Sequence, residues 1–142
     1  MNKPSDKVTA TFQEISKTAL WDEQLPISLQ EYESLLLAED TEELFQMIEQ
    51  EDESAITAIT LEDLMQMPFD RSKKSIERFS LAKRIQVLSE LDTRRSYLYS
   101  QASRYGAGNQ RDSEPLSAKD WRIIMGKIKH LEILQAWLYG IN

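Results

Sequence analysis

The chain has 142 residues, a formal net charge of −7, 41% hydrophobic and 29% charged residues, the balance of a folded globular protein and not of a disordered acidic tail. It contains no cysteine, which excludes disulfide bonds, thiolate nucleophiles and cysteine-based zinc or iron–sulfur sites. Glycine and proline number only four each, too few for the many turns of a β-sandwich. The amino terminus lacks the apolar core of a signal peptide and the longest aliphatic run, 35–38, is too short to cross a membrane, so we expect a cytoplasmic protein with no membrane partner.

The charges are strongly segregated along the chain. Residues 1–70 hold three lysines against 17 acids, a net charge of −14, whereas residues 71–142 hold 14 lysines and arginines against seven acids, a net charge of +7. We expect one helical domain over residues 1–142, with a flexible start at 1–6, an acidic half and a basic half.

The acidic half begins with two predicted helices. Apolar residues recur at helical spacing from Val8 to Ala19, which predicts a helix to about Leu25, where Pro26 ends it. A capping-box pattern, 28-SLQE-31, begins a second element. A further cap at 40–43 leaves open whether residues 28–55 form one helix or two.

The remaining elements are also predicted to be helical. The box 60-TLED-63 begins a short helix over 61–67, which Pro68 ends. Asp70 or Ser72 is expected to begin the longest helix, which runs to about Tyr105. Its predicted inward side chains are Leu81, Ile85, Leu88, Leu91, Leu98, Ala102 and Tyr105. A third box, 117-SAKD-120, begins the last helix, from about Ala118 to Tyr139.

These elements predict an all-α fold, a compact bundle of five to six helices with a hydrophobic C-terminal helix. Thirteen of the 21 residues in 121–141 are apolar, too many for a helix with one covered face. This helix is therefore either the centre of the core or an interface, including one between two copies of the chain.

The sequence offers little for catalysis. His130 is the only histidine, and no acid stands three residues before or after it to complete the metal-binding pattern of helical bundles. It is expected to be a satisfied core histidine or to face solvent. No nucleophile elbow or phosphate loop is present, and the carboxylates of 39–53 are expected to form a solvated face. We therefore predict a non-enzymatic protein without catalytic residues, cofactor or metal.

The stretch 71-RSKKSIERFSLAKR-84 carries six cations in an acidic protein. On a continuous helix, Arg71, Lys74 and Arg78 share a line with Leu81 and Ile85, so the basic ridge extends the packing face. The acidic segment 39–53 is its expected partner, within the chain or across subunits. The sequence does not decide whether these cations are neutralised internally or free.

Two surfaces are candidates for binding another protein. The short helix before Pro68 and the last helix supply adaptable apolar side chains, although simple packing of the short helix is the alternative. The candidate contacts are Leu61, Leu64, Met65, Met67, Phe69 and Trp137. The acidic span 18–70 would suit a basic protein, or would mimic nucleic acid toward an enzyme that binds it.

The run 82-AKRIQVLSELDTRRSYL-98, which leads into an arginine-rich turn of helix and then a glycine, resembles flagellar and type III export chaperones. The resemblance implies a helical protein that escorts or adapts another protein, and it assigns no functional residue. From the apolar segments 61–69 and 121–141 and the charged surfaces beside them, we expect a protein–protein interaction module that acts as an adaptor, chaperone or inhibitor, of which an export chaperone is one version.

The alternative is nucleic-acid binding by the basic half. Arg94, Tyr97, Gln101 and Arg104 recur at three- and four-residue steps, and such a ridge can contact phosphates and stack on bases. Together with Arg71, Lys74 and Arg78 it would form the binding surface. The acidic isoelectric point of 4.8 opposes the approach of phosphates.

Overall fold

A computed structural model of the chain describes residues 17–36, 46–47, 49–50, 52–105 and 116–140. These residues form helices and no strand, which confirms the all-α prediction, but the helices number seven and not five or six. They are α1 (Lys17–Leu20), α2 (Leu29–Ser34), α3 (Glu53–Ala58), α4 (Leu61–Gln66), α5 (Phe69–Glu77), α6 (Leu81–Ala102) and α7 (Ala118–Gly140). None of these helices is long and apolar enough to span a membrane.

The two long helices, α6 and α7, form an antiparallel pair. Arg95 Nη1 on α6 donates to Gln135 Oε1 on α7 over 2.8 Å. Just after the C-terminal end of α6, the ring of Tyr105 stacks on that of Trp121, near the start of α7, at a centroid distance of 4.4 Å. The Ser117 hydroxyl accepts from the amide of Asp120 at 3.1 Å, so the last helix begins where its sequence predicts.

Helix α7 is the centre of the core. It packs against α2, α4, α5 and α6, and its apolar stripe is covered by these neighbours within one chain. The fully or nearly fully buried apolar residues that it contributes are Ile128, Leu131, Ile133, Leu134, Trp137 and Leu138. Packing within the chain therefore accounts for its hydrophobicity, while a homodimer through this helix stays a prediction.

The predicted long helix from Asp70 to Tyr105 is wrong, because the chain turns between α5 and α6. Arg78 is the last residue of the turn that closes α5, and the Ser80 hydroxyl begins α6 by accepting from the Lys83 amide at 3.2 Å. Phe79, between them, is buried. Burial of this ring fixes the corner, and the cap of Ser80 makes up for the lost helical hydrogen bonds.

This corner reverses the predicted orientation of the start of α6. Leu81 and Ile85, expected to point inward, are 65% and 60% exposed. Leu91 and Leu98 are buried as predicted, and Leu88 and Ala102 are partly buried against the core. Val87, which was not predicted to be inward, joins this buried face. Tyr105 is also exposed, although its ring stacks on Trp121.

In the acidic half the structure corrects one prediction and answers one question that the sequence left open. Helix α1 ends at Leu20 and not near Leu25, because residues 21–27 form turns in which the Trp21 indole donates to the Ile27 carbonyl at 3.2 Å. Helix α2 ends at Ser34, so residues 28–55 do not form one helix. The predicted cap at 40–43 and the apolar positions before Lys17 lie outside the described residues.

A capping box and a buried serine hold the short helices in place. The predicted box at Thr60 is complete: Asp63 N donates to Thr60 Oγ1 at 3.1 Å, and Thr60 N donates to Asp63 Oδ2 at 2.9 Å. Ser72 Oγ of α5 donates to the Leu64 carbonyl of α4 at 2.8 Å, in the core. This bond joins the two helices around Pro68.

We predict a large loss of stability for one apolar truncation and almost none for another. Phe69→Ala removes a ring that is fully buried, so it should lower the free energy of unfolding by about 3–5 kcal/mol. Leu81→Ala, at a position the pattern predicts to be inward, should change it by less than about 0.5 kcal/mol because this side chain is mostly exposed. Urea unfolding followed by tryptophan fluorescence measures both. A large loss for Leu81→Ala would show that α6 is rotated from the orientation described.

Candidate functional site

The six side chains proposed from sequence as contacts for a partner lie in the core. Leu61, Leu64, Met65, Met67, Phe69 and Trp137 are all at most 8% exposed. Phe69 stands at the centre of an aromatic cluster, with its ring centroid 4.3 Å from that of His130 and 6.1 Å from that of Trp137. The apolar pattern of 61–69 therefore corresponds to packing of α4 and α5 onto α7. Of these six residues, Met65 and Leu61 also line the surface cavities described below.

The cations proposed to contact nucleic acid are not a free basic ridge. Arg94 Nη1 lies 3.0 Å from Glu62 Oε2 on α4. Tyr97 is exposed, and its hydroxyl accepts from the Gln101 side chain at 3.0 Å. The other cations of this set, Arg71, Lys74, Arg78 and Arg104, each have an interaction partner. Residues 39–45, 48 and 51 of the acidic segment expected to match the basic stretch lie outside the described part of the chain.

Two neighbouring surface cavities beside α4 and α6 are the candidate site, and together they are called the groove. Glu62 and Arg94, which form an ion pair, line both cavities. The first, the Tyr32 cavity, measures about 170 Å³ and is lined by Tyr32, Leu35, Leu36, Glu62, Met65, Gln66, Arg94, Ile123 and Lys127. The second, the Tyr97 groove, measures about 600 Å³ and is lined by Thr60, Leu61, Glu62, Ser89, Glu90, Thr93, Arg94 and Tyr97.

The groove has a basic end and an acidic end. Lys127 lines only the Tyr32 cavity and Glu90 lines only the Tyr97 groove, with the Glu62–Arg94 pair between them. Lys127 is exposed and, within the described ranges, has no carboxylate at ion-pair distance. Apolar walls of leucine, isoleucine and methionine line the basic end, whereas threonine and serine hydroxyls line the acidic end.

A buried polar pair lies beneath the Tyr32 cavity. The Tyr32 hydroxyl and His130 Nδ1 share a hydrogen bond of 2.9 Å. Burial raises the pKa of Tyr32 above its usual value and lowers the pKa of His130 to about 3, so both groups are neutral at pH 7. His130 Nε2 is buried and has no hydrogen-bond partner among the residues the structure describes. His130 is therefore a core histidine that holds the Tyr32 ring in place and does not face solvent.

A third cavity, of about 380 Å³, lies at the corner between α5 and α6. Its walls include Glu53, Arg78 and Phe79, and Lys83 spans it by donating to the Thr57 carbonyl at 2.9 Å. These contacts join α3 to the start of α6. Across the described ranges, no group of three or more acids or histidines is placed to hold a metal ion.

Sequence reasoning found part of this groove and missed the rest. It selected Arg94 and Tyr97, because both lie on one face of a long helix. It missed Glu62, Lys127 and the pair Leu35–Leu36, which come from other elements. The spacing of residues along one helix does not show which residues of other helices lie beside it.

Comparisons with models of known protein families, with curated proteins and with solved structures find no match to this chain.

We predict that the free energy of unfolding falls as the pH is lowered from about 6.5. The unfolded chain protonates His130 near its ordinary pKa of 6.5, whereas the folded chain does so only near pH 3, so acid favours the unfolded state by up to about 1.4 kcal/mol per pH unit between these values. His130→Gln, which does not titrate, should lose this dependence between pH 6.5 and 5, where most carboxylates stay ionised. Urea unfolding at several pH values measures it. Equal slopes for the two proteins would contradict a buried, neutral His130.

Proposed function

We propose that this chain is a non-enzymatic protein–protein interaction module, an adaptor, chaperone or inhibitor, which binds a segment of its partner in the groove between α4 and α6. The observation that carries this proposal is that two neighbouring cavities share the Glu62–Arg94 pair in their linings. The two cavities together offer an elongated site with apolar walls at one end and hydrogen-bonding side chains at the other. Such a combination suits a peptide segment, whose backbone needs hydrogen bonds while one or two side chains need apolar cover.

The charges of the groove favour a peptide over a nucleic acid. A polyanion would meet Glu62 and Glu90 as well as Arg94 and Lys127, so repulsion would oppose attraction along its length. A peptide that carries both signs of charge can match both ends. Charge complementarity of this kind raises the rate of encounter and fixes the direction in which the segment lies.

The proposal is tested by blocking the groove with one exposed substitution. Thr93→Arg places a long side chain in the Tyr97 groove, on a helix that readily accepts arginine. Ser100→Arg is the matched control, since it makes the same kind of change about two turns further along α6 at a residue that does not line either cavity. Both variants should keep the thermal unfolding midpoint of the parent chain within a few degrees.

The measurement is affinity capture of the tagged chain and of both variants from native cells, with nuclease present and absent, followed by mass spectrometry and by binding of the purified partner. We expect a nuclease-resistant protein that the parent chain and Ser100→Arg bind equally, and that Thr93→Arg binds at least about tenfold more weakly. A partner retained by Thr93→Arg would place the binding site elsewhere. Recovery only of nucleic acid, lost on nuclease treatment, would favour the alternative function.

A further inference from the structure

We propose that the groove receives the carboxyl-terminal segment of its partner: the last side chain, apolar, enters the Tyr32 cavity, and the terminal carboxylate binds Lys127 and Arg94. This inference rests on the proposed function and specifies which part of a partner the site recognises. It combines the size of the cavity, the cations at its mouth and the polarity of the adjoining groove.

The size and walls of the Tyr32 cavity fit one apolar side chain. Its volume of about 170 Å³ is close to the roughly 150 Å³ of an engineered protein cavity that binds benzene, so a leucine or phenylalanine side chain is of the right size. Leu35, Leu36, Met65 and Ile123 supply apolar walls. The Tyr32 ring, held by His130, is the rigid part of the lining.

Two cations at this cavity suit a carboxylate beside that side chain. Lys127 has no ion pair within the described ranges, and both contacts made there by Arg94, with Glu62 and with Met65 Sδ at 3.9 Å, use Nη1 alone. The guanidinium therefore keeps N–H donors for a second carboxylate. A chain terminus carries its carboxylate on the same carbon as its last side chain, which brings both groups to one small cavity.

The Tyr97 groove then takes the residues that precede the terminus. Ser89 offers its hydroxyl to the backbone of an extended segment. Thr60 Oγ1 accepts from Asp63 N and can still donate, whereas Thr93 Oγ1 donates to the Ser89 carbonyl at 3.3 Å and can still accept. Glu90 stands one helical turn before Arg94 on α6, away from the Tyr32 cavity, and favours a lysine or arginine a few residues before the terminus. The ligand class is thus a basic residue, a short extended stretch and a terminal leucine or phenylalanine with a free carboxylate.

The test uses the purified full chain and two pools of eight-residue peptides. Each pool has seven randomised positions followed by leucine, and one pool has a free carboxyl terminus while the other is amidated. We expect the free-acid pool to be retained about tenfold more than the amide pool, the factor expected for one charge-assisted hydrogen bond, with lysine and arginine enriched upstream. The most enriched single peptide is then titrated calorimetrically against variants.

Lys127→Glu should lower the affinity of the chain for this peptide by about tenfold or more. Lys119→Glu is the matched control, because it makes the same charge change about two turns earlier on α7 and outside the cavities, and it should leave the affinity within about twofold. Equal retention of the two pools, no retention of either, or equal effects of the two lysine changes would overturn the proposal. A cellular partner that Thr93→Arg loses but Lys127→Glu retains would uphold the interaction groove and reject the carboxylate. A partner that both variants retain would reject both.

Discussion

The close approach of Tyr32 to α7 is the contact on which the groove depends. A Cβ atom on Gly126 would stand 2.5 Å from Tyr32 Cδ1 and 3.2 Å from Ile27 Cγ2, so only glycine allows this approach. One turn later on the same face of α7, His130 holds the Tyr32 hydroxyl. Tyr32 is therefore fixed at both ends of its side chain, and α2 is fixed with it. Arg122 of α7 adds a second attachment, with Nε donating to the Pro26 carbonyl at 2.6 Å.

The aromatic cluster around Tyr32 and Phe69 determines which apolar residues are buried in the core and which remain at the surface. Phe69 and His130 pack against Tyr32, and Trp137 packs against Phe69, so most of the apolar side chains of α4 and α5 are buried. The surface that remains beside α4 is a groove whose floor is rigid and whose rim is charged. Its central ion pair, Glu62–Arg94, is partly exposed, so it contributes little to stability and is well suited to exchange partners with a ligand. A rigid floor and a rim of charges that can exchange partners are consistent with recognition of a short peptide segment.

The sequence predicted those features that depend on neighbouring residues. The caps at Thr60 and Ser117 are correct because a capping hydrogen bond spans three residues. The break before Ser80 was missed, since residues 69–105 contain neither glycine nor proline and burial of Phe79, a tertiary effect, turns the chain there. The exposure of Leu81 and Ile85 at the start of α6 followed from that missed turn, whereas Leu91 and Leu98 are buried as predicted. In the groove, helical periodicity could select Arg94 and Tyr97, which lie on one helix. Lys127 lines the same cavity as Arg94 only because α6 and α7 pack antiparallel.

The central claim, that contact between Tyr32 and Gly126 positions α2 and the groove, is tested most directly by the free energy of unfolding of Gly126→Ala. The ring cannot move away freely, because Trp21, Phe69 and His130 surround it. Overpacking of about 1–3 kcal/mol should therefore outweigh the gain of up to about 1 kcal/mol in helix propensity. Urea unfolding at pH 7, with the exposed Ser96→Ala on α6 as control, should show a net loss of about 1–2 kcal/mol for Gly126→Ala alone. A variant as stable as the parent chain, or more stable, would contradict the account.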